Sequence, residues 1–433
     1  MGSIPKGLTL ILSLAFALVA RSALPQESEV QAFRSGSASA ARSWETAFAL
    51  GRALRRAGHL DDADATLRRG LTAFGGQPRA LVALTKELAN VYMDRHNVAG
   101  AFGTCKRLGD LPGEGADGHA CTARVHLVSQ RASLALDEVA EALAIDASCF
   151  DAKLAEGRAY QLELDERNAE RALRQALALR PDDSEAHLAL GSVLWNGDRR
   201  DEGLGELRKA VQLDPAGPDG LFRLAQALSP GAESLGLLDR VTRERPTWTP
   251  AWVALGTQQL SFGRPEEAKV DADRAMRLDP ANADARILLG RVALLDGRAD
   301  DAIKAGQAVH AILPNSASAE LLIADGNAKK GETALAVEAY EVAWSLDHHD
   351  PTPLVRASQV YHASGRDTSA RAFGLKATKE APRWAPGWEA LGDALAAQGD
   401  RAAARDAYSR ALAASDGAVD RASIRSKLAA IPR

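Results

Sequence analysis

Aromatic residues make up only 5% of this 433-residue sequence, and cysteine and methionine occur three times each. Sheets fill their pleated surfaces with aromatic and β-branched side chains, so this scarcity, in a chain rich in alanine, favours helix over strand. The cysteines form no Cys-x-x-Cys and no Cys-x-x-Cys-His, which removes a zinc ribbon, a thioredoxin-type site and c-type haem. Neither charge dominates: 53 basic residues stand against 57 acidic ones, a formal charge of −4. Such a chain lacks the broad basic face that neutralises phosphates, so no nucleic-acid partner is expected. With 46% hydrophobic and 25% charged residues the composition is that of an ordinary globular protein, which sets aside disorder, collagen and coiled coil.

The signatures of common chemistry are missing too. There is no Walker-type phosphate loop, no Gly-x-Ser-x-Gly elbow and no His-Glu-x-x-His. Gly113-Glu-Gly-Ala-Asp-Gly118 matches Gly-x-Gly-x-x-Gly, but no strand precedes it, and it reads as a flexible loop. His348-His349-Asp350 falls in a closing turn, and His119, Cys121 and His126 have the spacing of no ordinary zinc module. Neither a cofactor, a metal nor a small-molecule substrate is expected, and the reading is of a protein that is not an enzyme.

The only long apolar run is at the start. Lys6 precedes an uncharged stretch from Leu8 to Ala20, and Ala20-Arg21-Ser22-Ala23 supplies small residues for cleavage, so residues 1–23 are expected to be a secretory signal. Thirteen helical residues reach about 20 Å, short of the roughly 30 Å hydrocarbon core. An exported protein, periplasmic or secreted, is the expectation; an uncleaved anchor is the alternative. Loss of Lys6 and Arg21 would shift the formal charge from −4 to −6. Residues 24–43 are expected to be a flexible lead-in.

What the sequence does have is a period. Small residues recur at Gly51, Ala89, Ala123, Gly157, Gly191, Ala225, Gly256, Gly290, Ala324, Ser358 and Gly392, and eight of the ten intervals are 34. A second small residue follows each by twelve in nearly every unit, as at Ala101, Ala169, Ala268, Ala302 and Ala404, and proline closes many units, as at Pro181, Pro215, Pro280 and Pro314. In residues 283–316 the segment from Ala285 to Leu295 has helical spacing and Gly297 breaks it. Asp300 and Asp301 then open a second helix where carboxylates favour the positive dipole end, and Pro314 stops it. Gly290 and Ala302 let the two backbones approach. A lone helix pair cannot bury both faces, so each pair must stack on the next.

These features resemble a tetratricopeptide repeat protein. Residues 249–282 carry the pattern through Trp252, Leu255, Gly256, Gly263, Ala268, Ala275 and Pro280, and residues 385–418 through Trp388, Leu391, Gly392, Gly399, Ala404, Tyr408 and Ala411. The expected architecture is all-α: a solenoid of about eleven helix-turn-helix repeats over residues 44–418, with a capping helix in 419–433. The resemblance implies a right-handed superhelix whose first helices line a concave groove that holds peptides or proteins. The unit at 218–248 is three residues short. A spacer or assembly subunit of an envelope complex is the alternative to a binding scaffold.

Counting from the small landmarks gives candidate binding positions. Three before them runs an apolar row, Leu154, Leu188, Phe222, Val253, Ile287, Leu321 and Val355; one after them a polar row that includes Arg158, Arg291, Asp325 and Gln359; and four after them Trp195, Leu260 and Leu294. The row reads either as groove or as inter-helix packing. For a groove, Trp195, Phe222 and Arg291 are the expected hot spots, with Ile287 and Leu294 beside them. From Arg42 to Leu108 there are eleven basic and six acidic residues, and Arg52, Arg55 and Arg56 on the first helix predict contact with an acidic partner or an anionic surface. Lys86 and Asn90 begin the pattern of a carboxylate clamp that the later units do not complete. Cys105 and Cys121 fall on helices that should pack together, which leaves a disulfide or two buried thiols open.

Overall fold

The computed structural model describes residues 43–431 apart from Asp198, Ser415 and Ala418. The expected signal at 1–23, and the lead-in as far as residue 42, lie outside the described residues. Every regular element among the described residues is a helix, and together they form an α-solenoid of helix-turn-helix pairs. The first pairs are α1 (Trp44–Arg56) with α2 (Leu60–Phe74), α3 (Pro78–Asp94) with α4 (Val98–Gly109), and α5 (Gly115–Val128) with α6 (Ala132–Ile145). Then come α7 (Phe150–Leu162) with α8 (Glu166–Leu179), α9 (Ser184–Asn196) with α10 (Arg200–Leu213), and α11 (Pro218–Ala227) with α12 (Ala232–Glu244). The series continues through α13 (Thr249–Ser261) with α14 (Pro265–Leu278), α15 (Ala283–Leu295) with α16 (Ala299–Ile312), and α17 (Ala317–Lys329) with α18 (Thr333–Leu346). It ends with α19 (Thr352–Ala363) and α20 (Asp367–Glu380), α21 (Ala385–Ala397) and α22 (Arg401–Ala413), and a single helix, α23 (Arg421–Ala430). These helices form two compact units, one reaching Ala251 and the other starting at Trp252. From α1 to α12, and again from α14 to α23, each helix packs against the next in the chain.

Helix starts follow from side chains that satisfy the first free amides. Asp165, Asp183, Asn282 and Asp400 each accept from the backbone N–H three residues on, at 3.0, 2.9, 2.9 and 3.2 Å. Most turns inside a pair call for one residue in the left-handed region; the sixth, with Leu228 and Gly231 both extended, does not. The second unit puts glycine there at 34-residue spacing, Gly263, Gly297, Gly331, Gly365 and Gly399, with φ between 68° and 79°. The first unit uses Gly58 once, and then His96, Gln130 and Leu164 with φ of 54°, 57° and 59°. A Cβ in that conformation meets the following carbonyl, so these three turns are strained.

The small landmarks exist because neighbours crowd them, though the neighbour is not always the expected one. A Cβ on Gly290 would lie 2.4 Å from Leu322 of the next first helix, and 3.1 Å from Ala305 of its own partner helix. A leucine from the following repeat fills the gap here and at Gly256, where Leu288 lies at 2.7 Å, whereas Leu67, Leu173 and Leu207 of the same pair do so at Gly51, Gly157 and Gly191. The shortened sixth pair loses its residues from α11, which has 10 where α9 has 13. At the C-terminal end Ile424 of α23 is fully buried against α21 and α22, and Lys427 bridges Glu389 and Asp393 at 2.9 Å each.

Cys105 of α4 and Cys121 of α5 form a disulfide, with Cα atoms 5.3 Å apart. The neighbouring glycines make this approach possible: a Cβ on Gly118 would lie 2.3 Å from the Gly109 Cα. Residues 115–118 are thus the first turn of α5, where the sequence suggested a loop; the reason is the close contact of Gly118 with Gly109, which the missing side chains of these two glycines permit. Cys149 remains a buried free thiol. No described helix is long and apolar enough to cross a membrane.

Candidate functional site

In the second unit, α15, α17 and α19 carry Arg291, Asp325 and Gln359 at the same place in successive repeats, one residue after Gly290, Ala324 and Ser358. Asp325 and Gln359, with Leu294, Tyr340, Arg356 and Val360, line a groove of about 430 Å³. One helical turn separates Asp325 from Ala328, so α17 offers the groove a polar and an apolar group together. Lys329 stands at the rim, exposed.

The Asp325 carboxylate is already engaged. Tyr340 donates its hydroxyl to it at 2.7 Å, and Arg356 forms an ion pair with it. Burial and the Asp325 charge hold the Tyr340 hydroxyl well above its ordinary range. The same arrangement recurs two repeats later, where Tyr408 donates to Asp393 at 2.7 Å and Lys427 supplies the cation. Asp325 thus serves as a brace between repeats, and its charge does not stand free to repel an acidic ligand. Arg291 differs. It has no hydrogen bond or ion pair among the described residues, and desolvation together with the nearby Arg356 charge depresses its pKa. An exposed cation with no partner of its own is available to an incoming anion or carbonyl oxygen.

The first unit curls so that its inner face brings distant repeats together. Arg56 of α1 pairs with Asp214, the residue after α10. Arg55 donates to Glu87 at 2.6 Å and to Asp94 at 2.9 Å. Glu185 at the start of α9 meets Arg158 of α7 at 2.7 Å and Arg124 of α5 at 3.9 Å. The Arg158 charge, joined by those of Arg124, Arg55 and Arg52 against the cost of burial, pushes the Glu185 carboxyl down to about 2. Arg52 lies among them with no hydrogen bond or ion pair among the described residues; desolvation and the Arg56 charge lower its pKa.

The expected site residues therefore fall into different settings. Ile287 is 6% exposed and belongs to the core of its repeat with Val309 and Leu322, which corrects its placement in a binding groove: the position three before the landmark turns into the pair interface, as Leu154 and Val355 also do. Phe222 is half-buried and packs on Trp248, ring centroids 4.7 Å apart. Trp195 is half-buried against Leu207 and Leu224, with the Arg200 guanidinium 5.6 Å over its ring. Both fill the seam beside the shortened helix α11. Arg55 and Arg56 are drawn into ion pairs with Glu87, Asp94 and Asp214. Lys86 is spent on Asp117 and Asp151, 2.9 Å from each, and Asn90 donates to Glu87, so neither is left for a clamp. Of the expected residues Leu294 lines the second-unit groove, and Arg291 stands exposed one turn before it on α15, outside that lining. Arg356 and Tyr340 were missed. The signal for Tyr340 was its recurrence as Tyr408, two periods on, with Asp325 and Asp393 in step. Among the described residues no group of His, Cys, Asp or Glu is arranged to hold a metal ion.

Comparison with known proteins agrees with the repeat assignment. The tetratricopeptide repeat family model matches residues 154–218 and 253–317, and the chain carries tetratricopeptide repeats there. The protein CTR9 homolog of Arabidopsis thaliana is 27% identical over 222 residues; the matched stretch is 49% of this chain and 17% of that protein. Among solved structures, yeast Tom70 is 14% identical with a TM-score of 0.49, covering 90% of this chain and 95% of that one. PilW, a type IV pilus biogenesis factor, is 21% identical with a TM-score of 0.43, covering 48% of this chain and 98% of that one.

Proposed function

We propose that this chain is a non-catalytic scaffold that holds an extended segment of a partner protein in the groove of its second unit, and that it works in the cell envelope or outside the cell. The supporting observation is the groove built by α15, α17 and α19. Leu294 and Val360 give it an apolar wall and Gln359 an amide able to pair with a backbone, while Arg291, one turn before Leu294 on α15, adds an exposed cation with no hydrogen bond or ion pair among the described residues. Extended peptides are held by that combination: apolar pockets take alternate side chains while fixed polar groups pair with the main chain. Placement outside the cytoplasm rests on the signal-like residues 1–23, and the Cys105–Cys121 bond suits an oxidising compartment.

An array of short peptides, followed by titration of the best binder, tests the proposal. Arg291→Ala and Leu294→Ala should each cost about 1–3 kcal/mol of binding, as interface anchors do, with helical content and melting nearly unchanged. If no peptide binds, or if the variants bind as the parent does while neighbours still attach to its ends, the chain is a spacer and the scaffold reading fails.

A further inference from the structure

We infer that the inner face of the first unit is a separate, anion-selective site for an acidic peptide segment, and that Glu185 occupies it in the free protein as an internal stand-in for the partner's carboxylate. The site shares no residue with the groove of the second unit and does not depend on that groove binding anything.

The charge inventory of this face leads to the inference. Five arginines from three first helices converge there: Arg52, Arg55 and Arg56 from α1, Arg124 from α5 and Arg158 from α7. Four carboxylates face them. Glu87 and Asp94 take Arg55, Asp214 takes Arg56, and Glu185 takes Arg158. Arg124 approaches Glu185 only to 3.9 Å, beyond hydrogen-bond reach, and Arg52 has no partner among the described residues. Two guanidinium groups are therefore left with unused planar donors, crowded by other cations. Lys86 on the neighbouring turn adds no free charge, since Asp117 and Asp151 hold it.

The repeat explains why the arginines line up. Arg52, Arg124 and Arg158 each follow a small landmark by one residue, the position that points to the inside of the curl. Glu185 reaches them from the start of α9, and its side chain keeps 39% of its surface exposed. It can be displaced without unpacking a helix. The ligand class follows from what the arginines already hold: every anion on this face is a carboxylate, in single-atom or forked contact with guanidinium. An acidic segment lying along the curl would use Arg52 and Arg124 first and then compete with Glu185 for Arg158.

The probe is a blocked hexaglutamate peptide titrated into the full chain, with inorganic phosphate and hexalysine as comparisons. Hexaglutamate should bind with an affinity that falls steeply as salt is raised, and hexalysine should not bind. A double Arg52→Gln, Arg124→Gln variant should bind about tenfold or more weakly. Glu185→Gln, which removes the internal competitor, should bind severalfold more tightly, an effect that a purely structural carboxylate would not produce. Arg291→Gln should change nothing. If the double variant fails to fold, the Glu185→Gln result decides alone. Unchanged or weaker binding by Glu185→Gln overturns the inference. So does phosphate that competes as well as the peptide, because the face then takes any small anion. Loss of binding in Arg291→Gln with the double variant unaffected also overturns it, and leaves the second-unit groove standing.

Discussion

Arg56 of α1 and Asp214 beyond α10 are 158 residues apart and share a forked ion pair, with one N–H donating at 3.1 Å to Oδ1 and a second donating to Oδ2. In a solenoid most contacts join neighbours, so stability is roughly a sum over repeats and their interfaces. This pair ties the first repeat to the fifth across the inside of the curl.

Breaking that tie should loosen the first repeat without melting the rest. Asp214→Asn is expected to cost about 1 kcal/mol, since both partners are partly exposed. The loss should appear as faster hydrogen exchange in α1 and α2, with α7 to α10 unchanged. Equal acceleration throughout the first unit would show that the pair has no such local role.

The Cys105–Cys121 bond closes a loop of 16 residues. A loop of that size contributes about 3 kcal/mol by restricting the unfolded chain. Reductant should therefore lower the melting temperature of the parent and leave a Cys105→Ser, Cys121→Ser variant untouched. A parent that melts identically in both conditions refutes the estimate.

Leu164 occupies the left-handed turn between α7 and α8 while 87% exposed, so it carries strain with little burial in return. Leu164→Gly should stabilise the protein by about 0.5–1 kcal/mol, the αL penalty less the backbone entropy of glycine. The reciprocal Gly331→Leu in the second unit should destabilise by about 0.5–1 kcal/mol, the same two terms with the signs reversed. Denaturant titration of both variants checks the pair of signs.

Glu185 sets a pH dependence. Its carboxyl is pushed from 4.5 down to about 2, first by Arg158 and then by Arg124, Arg55 and Arg52. A depressed carboxyl stabilises the fold above its ordinary pKa and loses that contribution as pH falls toward the folded value. With allowance for solvent screening of a side chain that keeps 39% exposure, Glu185→Gln should cost about 1–2 kcal/mol at neutral pH. The gap between the two proteins should close between about pH 4.5 and 2. A constant gap would mean that shape, and not charge, gives Glu185 its effect.

The repeat pattern was legible because it is written in volume. Gly290, Gly256 and Gly392 leave no room for a Cβ, and a constraint that strict repeats in the sequence wherever it repeats in space. The polar row was legible for the same reason: one residue after each landmark is a fixed direction on a helix. Ile287 misled because it lies near the edge of the apolar stripe, where a small rotation of the helix decides between core and groove. The pairing of Arg55 and Arg56 was hidden more deeply. Asp94 comes to Arg55 from the next pair and Asp214 to Arg56 through the curl of five helix pairs, and local periodicity carries no record of how far a curl closes. Nor did any signal mark Leu164, because a left-handed leucine looks like any other polar-flanked leucine until the turn is seen.

The disulfide between α4 and α5 also determines how the molecule would yield to tension. A solenoid pulled from its ends peels pair by pair, each released residue adding about 3.5 Å of length. The 16-residue segment closed by Cys105 and Cys121 cannot lengthen while the bond stands, which withholds roughly 50 Å from the fully drawn chain. The force instead passes through the sulfur atoms directly from the second pair to the third. In a pulling experiment, the final length before and after reduction would record that shortcut as a single step.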